Sequence, residues 1–547
     1  MSERARPLII GAAVGNCVHI AGLLNFLRLA EAAGYEVHSM GPAVPVAKLV
    51  GAAVEANADI IAVSYRLTPE VAANLIDELR CEAERAGIAG RRFIFGGTPP
   101  VASVARATGF FDAVFSGEES VPEIMAYLRG EARQGEEPTY AGDLVSRITA
   151  SRPHPLIRHH FGLPSLSDTI EGARRIAESR TVDVISVGPD QNAQESFFRP
   201  SEMLGEQDGA GGVPVRTEED LAAIYKASRT GNYPLVRCYS GTRDLMKWAE
   251  MSVRVIRNAW AAIPLCWYSQ LDGRSGRTPQ EAMEENMSVV QWYASRGIPV
   301  EVNESHHWSL RGAHDVVAVV MAFVAAYNAK VRGVRHYVAQ YMFNNPVGTS
   351  YVMDLGKMLA KIQLIESLHD ETFTSYREVR AGLASLSVDM GVAKGQLASS
   401  THLQMSLSPD IVHVVGFPEA DHAARPEEVI ESCKIARGVI RNCLGGLPDV
   451  SRDPRVIARR DELVKEAGVL LDAIRRLGEG TSDDPLADPG VIAGAIRAGL
   501  LDAPHLAGNP LAAGGVVTDI VNGACVALDP VTRKPIDEKT RLRNLGM

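Results

Sequence analysis

The stretch from residue 8 to residue 33 constrains the fold more than any other, because it reads as a strand, a turn and a helix in immediate succession. An apolar run of strand length spans Leu8 to Val14, and apolar residues at helical spacing begin at Ala21. The turn between them carries His19, three residues before Gly22. Taken alone, this stretch fits an ordinary strand-to-helix turn with an incidental histidine.

Three further strand-like segments follow at regular intervals, and they favour a more specific interpretation. ADIIAVS ends at Ser64, RRFIFGG ends in a glycine pair, and FDAVFSGEE comes next. Strands that alternate with helices over such short connections predict a parallel sheet that helices cover on both faces. The residues at and just beyond the strand ends are Ser64, Arg66, Leu67, Thr68, Gly96 and Gly97.

Residues 7–130 resemble the cobalamin-binding domain of methionine synthase, glutamate mutase and methylmalonyl-CoA mutase. The resemblance implies a Rossmann-like (flavodoxin-like) domain in which an Asp-x-His-x-x-Gly turn supplies the lower cobalt ligand, here His19. A neutral imidazole ligates cobalt well when a partner orients its other ring nitrogen. Glycines at the strand ends leave room for the bulky nucleotide tail. The cofactor-binding residues that the resemblance implies are Asn16, Cys17, His19, Gly22, Ser64, Arg66, Leu67, Thr68, Gly96, Gly97 and, in a later loop, Glu419.

One position departs from this family pattern. The family aspartate, two residues before the histidine, is Cys17 here, with Asn16 beside it. The carboxylate that usually supports the histidine is therefore missing. We expect His19 to bind cobalt more weakly than in relatives that keep the aspartate, and Cys17→Asp to tighten cofactor binding.

Length, charge and cysteine content bound the remaining possibilities. A chain of 547 residues predicts two or three domains. A net charge of −10 disfavours nucleic acid as a partner, and no apolar run reaches the roughly 18–20 residues of a membrane span. Seven scattered cysteines without CxxC pairs, and a start without a signal peptide, predict reduced thiols in the cytoplasm. We expect a cytoplasmic protein, without nucleic acid or membrane partners, that forms a homodimer.

A second pattern of strands and helices begins near Arg180. Seven or eight βα units over about 250 residues are what a (β/α)₈ TIM barrel requires, with its active site at the carboxyl ends of the strands. The strand-like segments are TVDVISVGPDQNAQ, YPLVRCYSGTRD, IPLCWYSQLDGRSG, IPVEVNESHHWS, VRHYVAQYMFNN, FTSYREVRAGL and IVHVVGFPEADH, with GQLASSTHLQMS as the candidate eighth.

The predicted domain order follows from these patterns. It is a cobalamin-binding domain at 1–130, a linker at 131–179, a catalytic barrel at 180–449, and a helical closing segment at 450–547. The linker is polar and rich in proline and histidine, and its pair His159 and His160 is interpreted as a surface pair. The fold class is therefore α/β, with a Rossmann-like domain joined to a TIM barrel.

Polar residues just past the predicted strands would form a ring around one mouth of the barrel. His306, flanked by Glu304, would polarise a carbonyl or act as an acid or base; a metal site is the alternative for this cluster. The candidate catalytic residues are Tyr268, Glu301, Glu304, His306 and Tyr341. The candidate substrate-binding residues are Arg237, Tyr239, Gln270, Asn303, Gln340 and Asn344. All are expected to line one cavity that faces the cobalamin.

The segments from Pro264 to Asn345 resemble the epsilon chain of glutamate mutase (methylaspartate mutase). In that family the cobalamin and barrel parts are separate chains, which would be fused here, and the loop carrying Glu419 would lie near the adenosyl group. The third predicted strand ends in WYSQ without the family's arginine, the segment of the family's glutamate and tyrosines is shortened to LDGRSGRT, and the family lysine after the last strand is Gly416. The resemblance thus implies a mutase with a substrate other than glutamate.

The function that the sequence predicts is an adenosylcobalamin-dependent radical mutase for a small carboxylic or amino acid-like substrate. One alternative is a methylcobalamin-dependent methyltransferase. Those enzymes usually place a helical cap before the cobalamin fold, whereas the fold begins at Pro7 here. The other alternative is a non-catalytic cobalamin carrier or sensor, which a complete barrel with a polar mouth disfavours.

Overall fold

Alternating apolar strands and amphipathic helices divide the chain into two units, Met1–Thr139 and Tyr140–Met547. The computed structural model describes residues 7–119, 121–128, 140–239 and 241–547. Each unit has a hydrophobic core of its own. No helix of these described residues is long and apolar enough to cross a membrane.

The first unit is a parallel sheet of five strands. The strands are β1 (Leu8–Ala13), β2 (Glu36–Ser39), β3 (Ile60–Ser64), β4 (Arg92–Gly96) and β5 (Ala113–Phe115). The helices are α1 (Ala21–Ala32), α2 (Val46–Glu55), α3 (Pro69–Arg85), α4 (Pro99–Thr108) and α5 (Val121–Leu128). The strand order is β2-β1-β3-β4-β5, which is that of a flavodoxin-like fold. The order reverses between β1 and β3, where ligands of such folds commonly bind.

The residue patterns explain these elements. All residues of β1 and β3 are buried, as expected for central strands covered by helices on both faces. Both α3 and α4 begin with proline in the first turn, where its missing N–H and fixed φ are tolerated. The predicted Rossmann-like class of the first domain is confirmed.

The second unit contains eight parallel strands and a separate hairpin. The strands are β6 (Leu156–Phe161), β7 (Val184–Val187), β8 (Leu235–Cys238), β9 (Ala261–Ile263), β10 (Val300–Val302), β11 (His336–Phe343), β12 (Thr374–Ala381) and β13 (Ile411–Val414); the hairpin is β14 (Val517–Val521) and β15 (Ala524–Leu528). The helices within or before the barrel are α6 (Leu144–Ser151), α7 (Leu166–Glu178), α8 (Gln191–Ser196), α9 (Glu218–Ala227), α10 (Leu245–Ile256), α11 (Pro279–Ala294), α12 (Ser305–Leu310), α13 (Asp315–Val331), α14 (Tyr351–Glu366), α15 (Met390–Gln404) and α16 (Pro426–Leu444). The helices after it are α17 (Pro454–Leu477), α18 (Pro489–Arg497) and α19 (Glu538–Asn544).

The eight strands form a nearly closed barrel. The sheet runs β8-β7-β6-β13-β12-β11-β10-β9, so the last strand β13 pairs in parallel with the first strand β6. Within the described residues β8 and β9 share no ladder, and one backbone bond, from Ala259 N to Val236 O at 3.0 Å, connects this region to β8. The predicted eight-stranded α/β barrel is confirmed as a fold class.

Two of the predicted barrel elements are wrong. The first strand, β6, lies in the range predicted as a linker, and His159, predicted to be at the surface, is only 1% exposed. The candidate eighth strand GQLASSTHLQMS lies within helix α15 and the turn after it. The linker prediction failed because Arg158 and His160 alternate with apolar residues and face the barrel interior, so the strand looks polar in sequence. Residues 131–139 of the predicted linker lie outside the described residues.

The segment after the barrel packs on its helices and loops. Arg459 of α17 donates to Asp315 of α13 at 2.8 Å, and both residues are buried. The hairpin contacts two barrel loops: Thr518 donates to Gly312 O at 2.7 Å, and Ser350 N donates to Gly523 O at 2.8 Å. The closing segment therefore braces loops at the carboxyl end of the barrel.

Candidate functional site

In the first unit, the carboxyl ends of three strands lie side by side. Ala13 pairs with Ser64, and Ser64 pairs with Gly96, in parallel register. His19 is exposed in the loop after β1. The residues that follow Ser64, namely Arg66, Leu67 and Thr68, are exposed as well. The structure thus gathers the predicted cofactor-binding residues of this unit at the edge where the strand order reverses.

The space around this edge fits a bulky cofactor. A Cβ built on Gly22 or Gly96 would meet no atom within 4 Å. Two apolar side chains are unusually exposed there, Val18 at 63% and Leu67 at 40%. Gly97 differs from Gly96, because a Cβ on Gly97 would lie 2.6 Å from the carbonyl oxygen of Tyr65. Gly97 is therefore required for packing, whereas Gly22 and Gly96 leave open space that a tetrapyrrole-sized cofactor with its nucleotide tail would use.

The two residues that precede the loop of His19 differ in burial: Cys17 is buried, whereas Asn16 is exposed like His19. Cys17 is fully buried in the core of the first unit. Asn16 is exposed, and its Oδ1 accepts a hydrogen bond from the Tyr65 hydroxyl at 3.4 Å. A thiol inside the core is not placed to orient an exposed imidazole, so the structure offers no substitute for the family aspartate at position 17.

In the second unit, inward-facing side chains form layers along the barrel. Successive residues of a strand point to opposite faces, so every second residue points to the interior. The lowest layer closes the amino end of the barrel and is apolar. Its members are Leu156, Val184, Leu235, Trp260, Val338, Tyr376 and Ile411.

The layer above it is charged. Its members, two residues further along most of the strands, are Arg158, Ser186, Arg237, Glu301, Gln340, Glu378 and His413. Arg158 is fully buried; its Nε donates to Ser186 at 2.7 Å and its Nη1 donates to Glu378. The same Nη1 lies 3.8 Å from Glu301. Two arginines and two glutamates thus occupy the barrel interior.

Arg237 is held differently from Arg158. Its Nη1 lies 3.3 Å from Oε2 of Glu301, but none of its three guanidinium nitrogens makes a hydrogen bond within the described residues. The guanidinium also lies 4.8 Å from the ring centres of Tyr239 and Trp260. Glu301, by contrast, accepts hydrogen bonds from Trp260 Nε1 at 2.8 Å and Gln340 Nε2 at 2.5 Å. Arg237 therefore keeps buried donors available for a ligand.

The top layer lies at the mouth and contains His160, Tyr239, Asn303 and Arg380. The Tyr239 hydroxyl is hydrogen-bonded to His160 Nε2, and the two rings stack at 4.8 Å. Arg158 Nη2 lies 3.3 Å from the same imidazole nitrogen. Because both neighbours are donors, Nε2 is the acceptor and His160 carries its proton on Nδ1. The side-chain oxygen of Asn303 is buried and has no hydrogen-bond partner in the described part of the chain.

Burial and neighbouring arginines set the protonation states. Burial, followed by the charge of Arg158, lowers the pKa of His160 and of His413 well below its usual value, so both imidazoles are neutral. Burial raises the pKa of Glu378 to about 7, against the opposing effect of Arg158. The interior therefore holds neutral imidazoles, and its cationic charge is not fully compensated near neutral pH.

Glu304 is the centre of a second buried cluster. Its Oε2 accepts from the backbone N–H groups of Leu265 and Cys266 at 2.8 and 3.2 Å. Its Oε1 accepts from the Cys266 thiol at 2.6 Å and from Trp308 Nε1 at 2.8 Å. A carboxylate with four donors anchors the loop after β9 to α12, and this arrangement favours a structural role over the predicted catalytic one.

His306 and Tyr268 lie close to the mouth. The His306 and His307 rings are 4.5 Å apart, and Tyr268 packs edge-on against His307 at 5.8 Å. Burial lowers the pKa of His306, and the charge of Arg380 lowers it further. The same arginine lowers the pKa of His160, so Arg380 is near both histidines. Tyr268 has a φ of +60°, a conformation that places its ring against the histidines at a cost in backbone strain.

Four predicted residues lie away from the interior. Tyr341 is buried on the outer face of β11, among residues that pack against the helices. Gln270 is exposed and donates to Gly276 O at 2.7 Å. Asn344, at a φ of +54°, donates its backbone N–H to Asp354. Glu419 accepts from Gly416 N at 2.7 Å and lies 3.6 Å from His159.

Sequence reasoning missed five residues of the charged interior: Arg158, His160, Glu378, Arg380 and His413. All five lie inside strands rather than after them. A signal was present in two of the three strands, because LIRHHF and SYREVRA carry charged or imidazole side chains at a period of two, whereas IVHV carries His413 alone. No group of three or more His, Cys, Asp or Glu side chains suited to a metal ion occurs in the described part of the chain, so the metal alternative for the Glu304 cluster gains no support.

Comparisons with known proteins agree with the first unit. Residues 7–125 match the family described as B12 binding domain, and no curated protein gives a significant match. The first unit is thus a B12-binding, Rossmann-like domain. The family match covers this part of the chain and does not extend to the barrel.

Three solved structures are similar to the chain at low overall superposition. A novel cobalamin-binding protein from Desulfitobacterium hafniense DCB-2 is 28% identical over 23% of this chain, with a TM-score of 0.21; the match spans 59% of that protein, less than two thirds of its length. A Rubisco-like protein from Rhodopseudomonas palustris is 12% identical over 55% of this chain and 70% of its own, with a TM-score of 0.32. The cobalamin-dependent S-adenosylmethionine radical enzyme OxsB is 10% identical over 80% of this chain and 56% of its own, with a TM-score of 0.18.

Proposed function

We propose that this chain is a cobalamin-dependent isomerase (mutase) that rearranges a small organic acid inside its barrel. The observation that carries the proposal is Arg237, whose buried guanidinium makes no hydrogen bond to any described residue, in a barrel that shares its chain with a B12-binding domain. A guanidinium presents a planar set of donors that matches a carboxylate. Burying such donors without a partner is costly, so a ligand that completes them binds strongly.

The cofactor of the proposal is adenosylcobalamin, which when bound supplies a carbon-centred radical through cleavage of its cobalt–carbon bond. His19 would hold the cobalt as its lower ligand. Gly22, Ser64 and Gly96 would hold the nucleotide tail, since they border the open edge of the sheet. The resemblance of the barrel segments to the epsilon chain of glutamate mutase supports the same assignment.

The barrel residues have three tasks in this proposal. The apolar layer around Trp260 closes the amino end and keeps water away from the reacting centre. Arg237 binds the substrate carboxylate. The neutral pair His160–Tyr239 offers hydrogen-bonding groups at the mouth that orient the substrate without adding charge. A displacement of about 1 Å at such a site is expected to lower the rate roughly a hundredfold.

Cobalt ligation is tested by spectroscopy on the reconstituted protein. The cob(II)alamin form should show coupling to one imidazole nitrogen in its paramagnetic resonance spectrum, and His19→Ala should remove it. His38→Ala, at another exposed histidine of the same unit, is the matched control and should leave the coupling in place. Coupling that survives in the His19 variant would exclude this residue as the ligand.

The reaction class is tested by turnover. Small acids incubated with protein and adenosylcobalamin should yield isomers of the same mass, and Arg237→Met should abolish the product. Transfer of a methyl group from methylcobalamin to an acceptor would favour the methyltransferase alternative instead. Tight cobalamin binding, with no acid binding and no effect of Arg237→Met, would favour the carrier or sensor alternative.

A further inference from the structure

We infer that the substrate of this barrel is a small carboxylate that carries no ammonium group, such as a hydroxy acid or an unsubstituted acid. The inference rests on the proposed function and narrows its substrate class. It follows from a charge imbalance among the inward-facing side chains: within the described residues Arg380 has no carboxylate partner, Arg237 has unused hydrogen-bond donors, and the carboxylates are almost fully engaged.

Arg380 differs from Arg158 and Arg237, because it has no carboxylate partner within the described residues. It lies two residues after Glu378 on β12, so it points to the same interior, one layer closer to the mouth. Within the described residues its one hydrogen bond runs from Nε to Ala381 O at 3.3 Å, and no carboxylate lies within ion-pairing distance. Burial lowers the pKa of His306 and of His413, and the charge of Arg380 lowers both further, as expected for a cation in the same interior. Arg380 therefore contributes a positive charge without a built-in anion, and Arg237 contributes hydrogen-bond donors that Glu301 leaves unused.

The interior carboxylates are already in use. Glu301 accepts hydrogen bonds from Trp260 and Gln340, and it lies 3.3 Å from Arg237. Glu378 accepts a hydrogen bond from Arg158 at Oε1. Among the described residues, the one carboxylate oxygen of this layer without a hydrogen bond is Glu378 Oε2, in a fully buried side chain below the mouth.

Carboxylates near the mouth are engaged in the same way. Glu304 accepts four hydrogen bonds, and Asp272 pairs with Arg311 at 3.1 Å. The imidazoles of His160, His306 and His413 are neutral and cannot offset a positive charge.

The consequence for a ligand is a difference between two otherwise similar acids. A carboxylate would complete the hydrogen bonds of Arg237 and pair with Arg380. An ammonium on the same molecule would be desolvated beside three guanidinium groups and two glutamates that already have partners, which disfavours its charged form. A hydroxyl in its place would meet Asn303 and the His160–Tyr239 pair, which accept or donate hydrogen bonds without charge.

Calorimetric titration of the full-length protein, reconstituted with cobalamin, tests this with matched ligand pairs. The probes are lactate with alanine, malate with aspartate, and 2-hydroxyglutarate with glutamate, each pair differing by hydroxyl against ammonium. In the pair of suitable length the hydroxy acid should bind at least tenfold more tightly. Arg380→Gln should weaken that binding tenfold or more, whereas Arg296→Gln, at an exposed arginine of the second unit, should leave it unchanged.

Each outcome decides the inference. An amino acid that binds as tightly as its hydroxy counterpart overturns it, and so does the absence of binding in every pair. If circular dichroism shows that Arg380→Gln is unfolded, Arg380→Lys replaces it and should keep the preference for the hydroxy acid. Hydroxy-acid binding without isomer formation would support this inference and reject the isomerase function. Isomerisation of an amino acid would support the isomerase function and reject this inference.

Discussion

Nη1 of Arg237 lies 3.3 Å from Oε2 of Glu301 in the interior of the barrel, where both side chains are fully buried. The two charges attract each other, yet the guanidinium is not aligned for a hydrogen bond with the carboxylate. Glu301 is meanwhile held by donors on two other sides. The carboxylate therefore balances the charge of Arg237 and leaves its planar donors available for an incoming anion.

Replacing Arg237 with lysine should separate the effect of its positive charge on ligand binding from the effect of its paired hydrogen-bond donors. Arg237→Lys keeps the positive charge but loses the paired donors, and we expect affinity for the carboxylate ligand to fall roughly 10- to 100-fold, or about 1.5–3 kcal/mol. Titration calorimetry measures this change. Arg254→Lys, in an exposed ion pair with Glu218, is the control and should bind normally. Unchanged affinity in the Arg237 variant would mean that the ligand binds elsewhere.

The adjacent glycines after β4 should respond differently to the same substitution. Gly97→Ala places a methyl group 2.6 Å from a backbone oxygen, so the first unit should lose stability. Gly96→Ala meets no protein atom, so stability should be kept while the methyl group enters the space assigned to cobalamin. Hydrogen exchange of the strand peptides measures the first effect, and cobalamin titration measures the second. Normal cobalamin affinity in Gly96→Ala would argue against a cofactor at this edge.

Cys17→Asp should destabilise the first unit instead of tightening cofactor binding. The side chain is fully buried among apolar residues, and a carboxylate there would lack a partner, which typically costs several kcal/mol. Hydrogen exchange in residues 8–64 should accelerate. Cys81→Asp, at an exposed cysteine of α3, should exchange like the parent protein. Tighter cobalamin binding with unchanged exchange would restore the aspartate interpretation.

Glu378 should make the stability of the barrel depend on pH. Burial raises the pKa of this carboxyl to about 7 in the folded state, so between about pH 5 and pH 7 the folded state holds a proton that the unfolded state has released. The free energy of unfolding should therefore fall as pH rises through this window and level off above it, by about 1–3 kcal/mol. Below about pH 4 both states are protonated, so the stabilisation is fully present and no longer changes with pH.

Tryptophan fluorescence in urea measures this effect selectively, because all five tryptophans lie in the second unit. As pH rises from 5.5 to 7.5, the free energy of unfolding of the parent protein should fall relative to that of Glu378→Gln. A difference that stays constant over this range would show that Glu378 is already ionised, with Arg158, at the lower pH.

The sequence was sufficient for the fold class and for most strands, and physical reasons explain the exceptions. Six barrel strands are mostly apolar runs that end in polar loops, which is the pattern of a buried parallel strand, whereas β12 carries Arg377, Glu378 and Arg380. β6 lacks this pattern because Arg158 and His160 point inward. In α15 the buried Ala393, Leu397 and Thr401 recur every four residues, a helical period that its many small polar residues obscured.

The candidate site was only partly predictable for a related reason. Residues after a strand are recognisable as mouth residues, and Tyr239, Asn303 and His306 were predicted in this way. Charges inside a strand are recognisable only when their partners are known, and Arg158 meets Glu378 across 220 positions of sequence. Sequence also cannot show that Glu304 is saturated by four donors, because three of them come from the loop after β9 and the fourth from Trp308 of α12.

The missing ladder between β8 and β9 has a consequence for how the barrel opens. β11 and β12 are joined over eight residue pairs, and the ring is continuous from there through β6 to β8. Local unfolding proceeds from the least protected segment, so β8 and β9 should separate first. Arg237 lies on β8, and Trp260 directly precedes β9. Opening there would expose the charged interior sideways, through the wall instead of the mouth. The amides of β9 should consequently exchange with solvent long before those of β12.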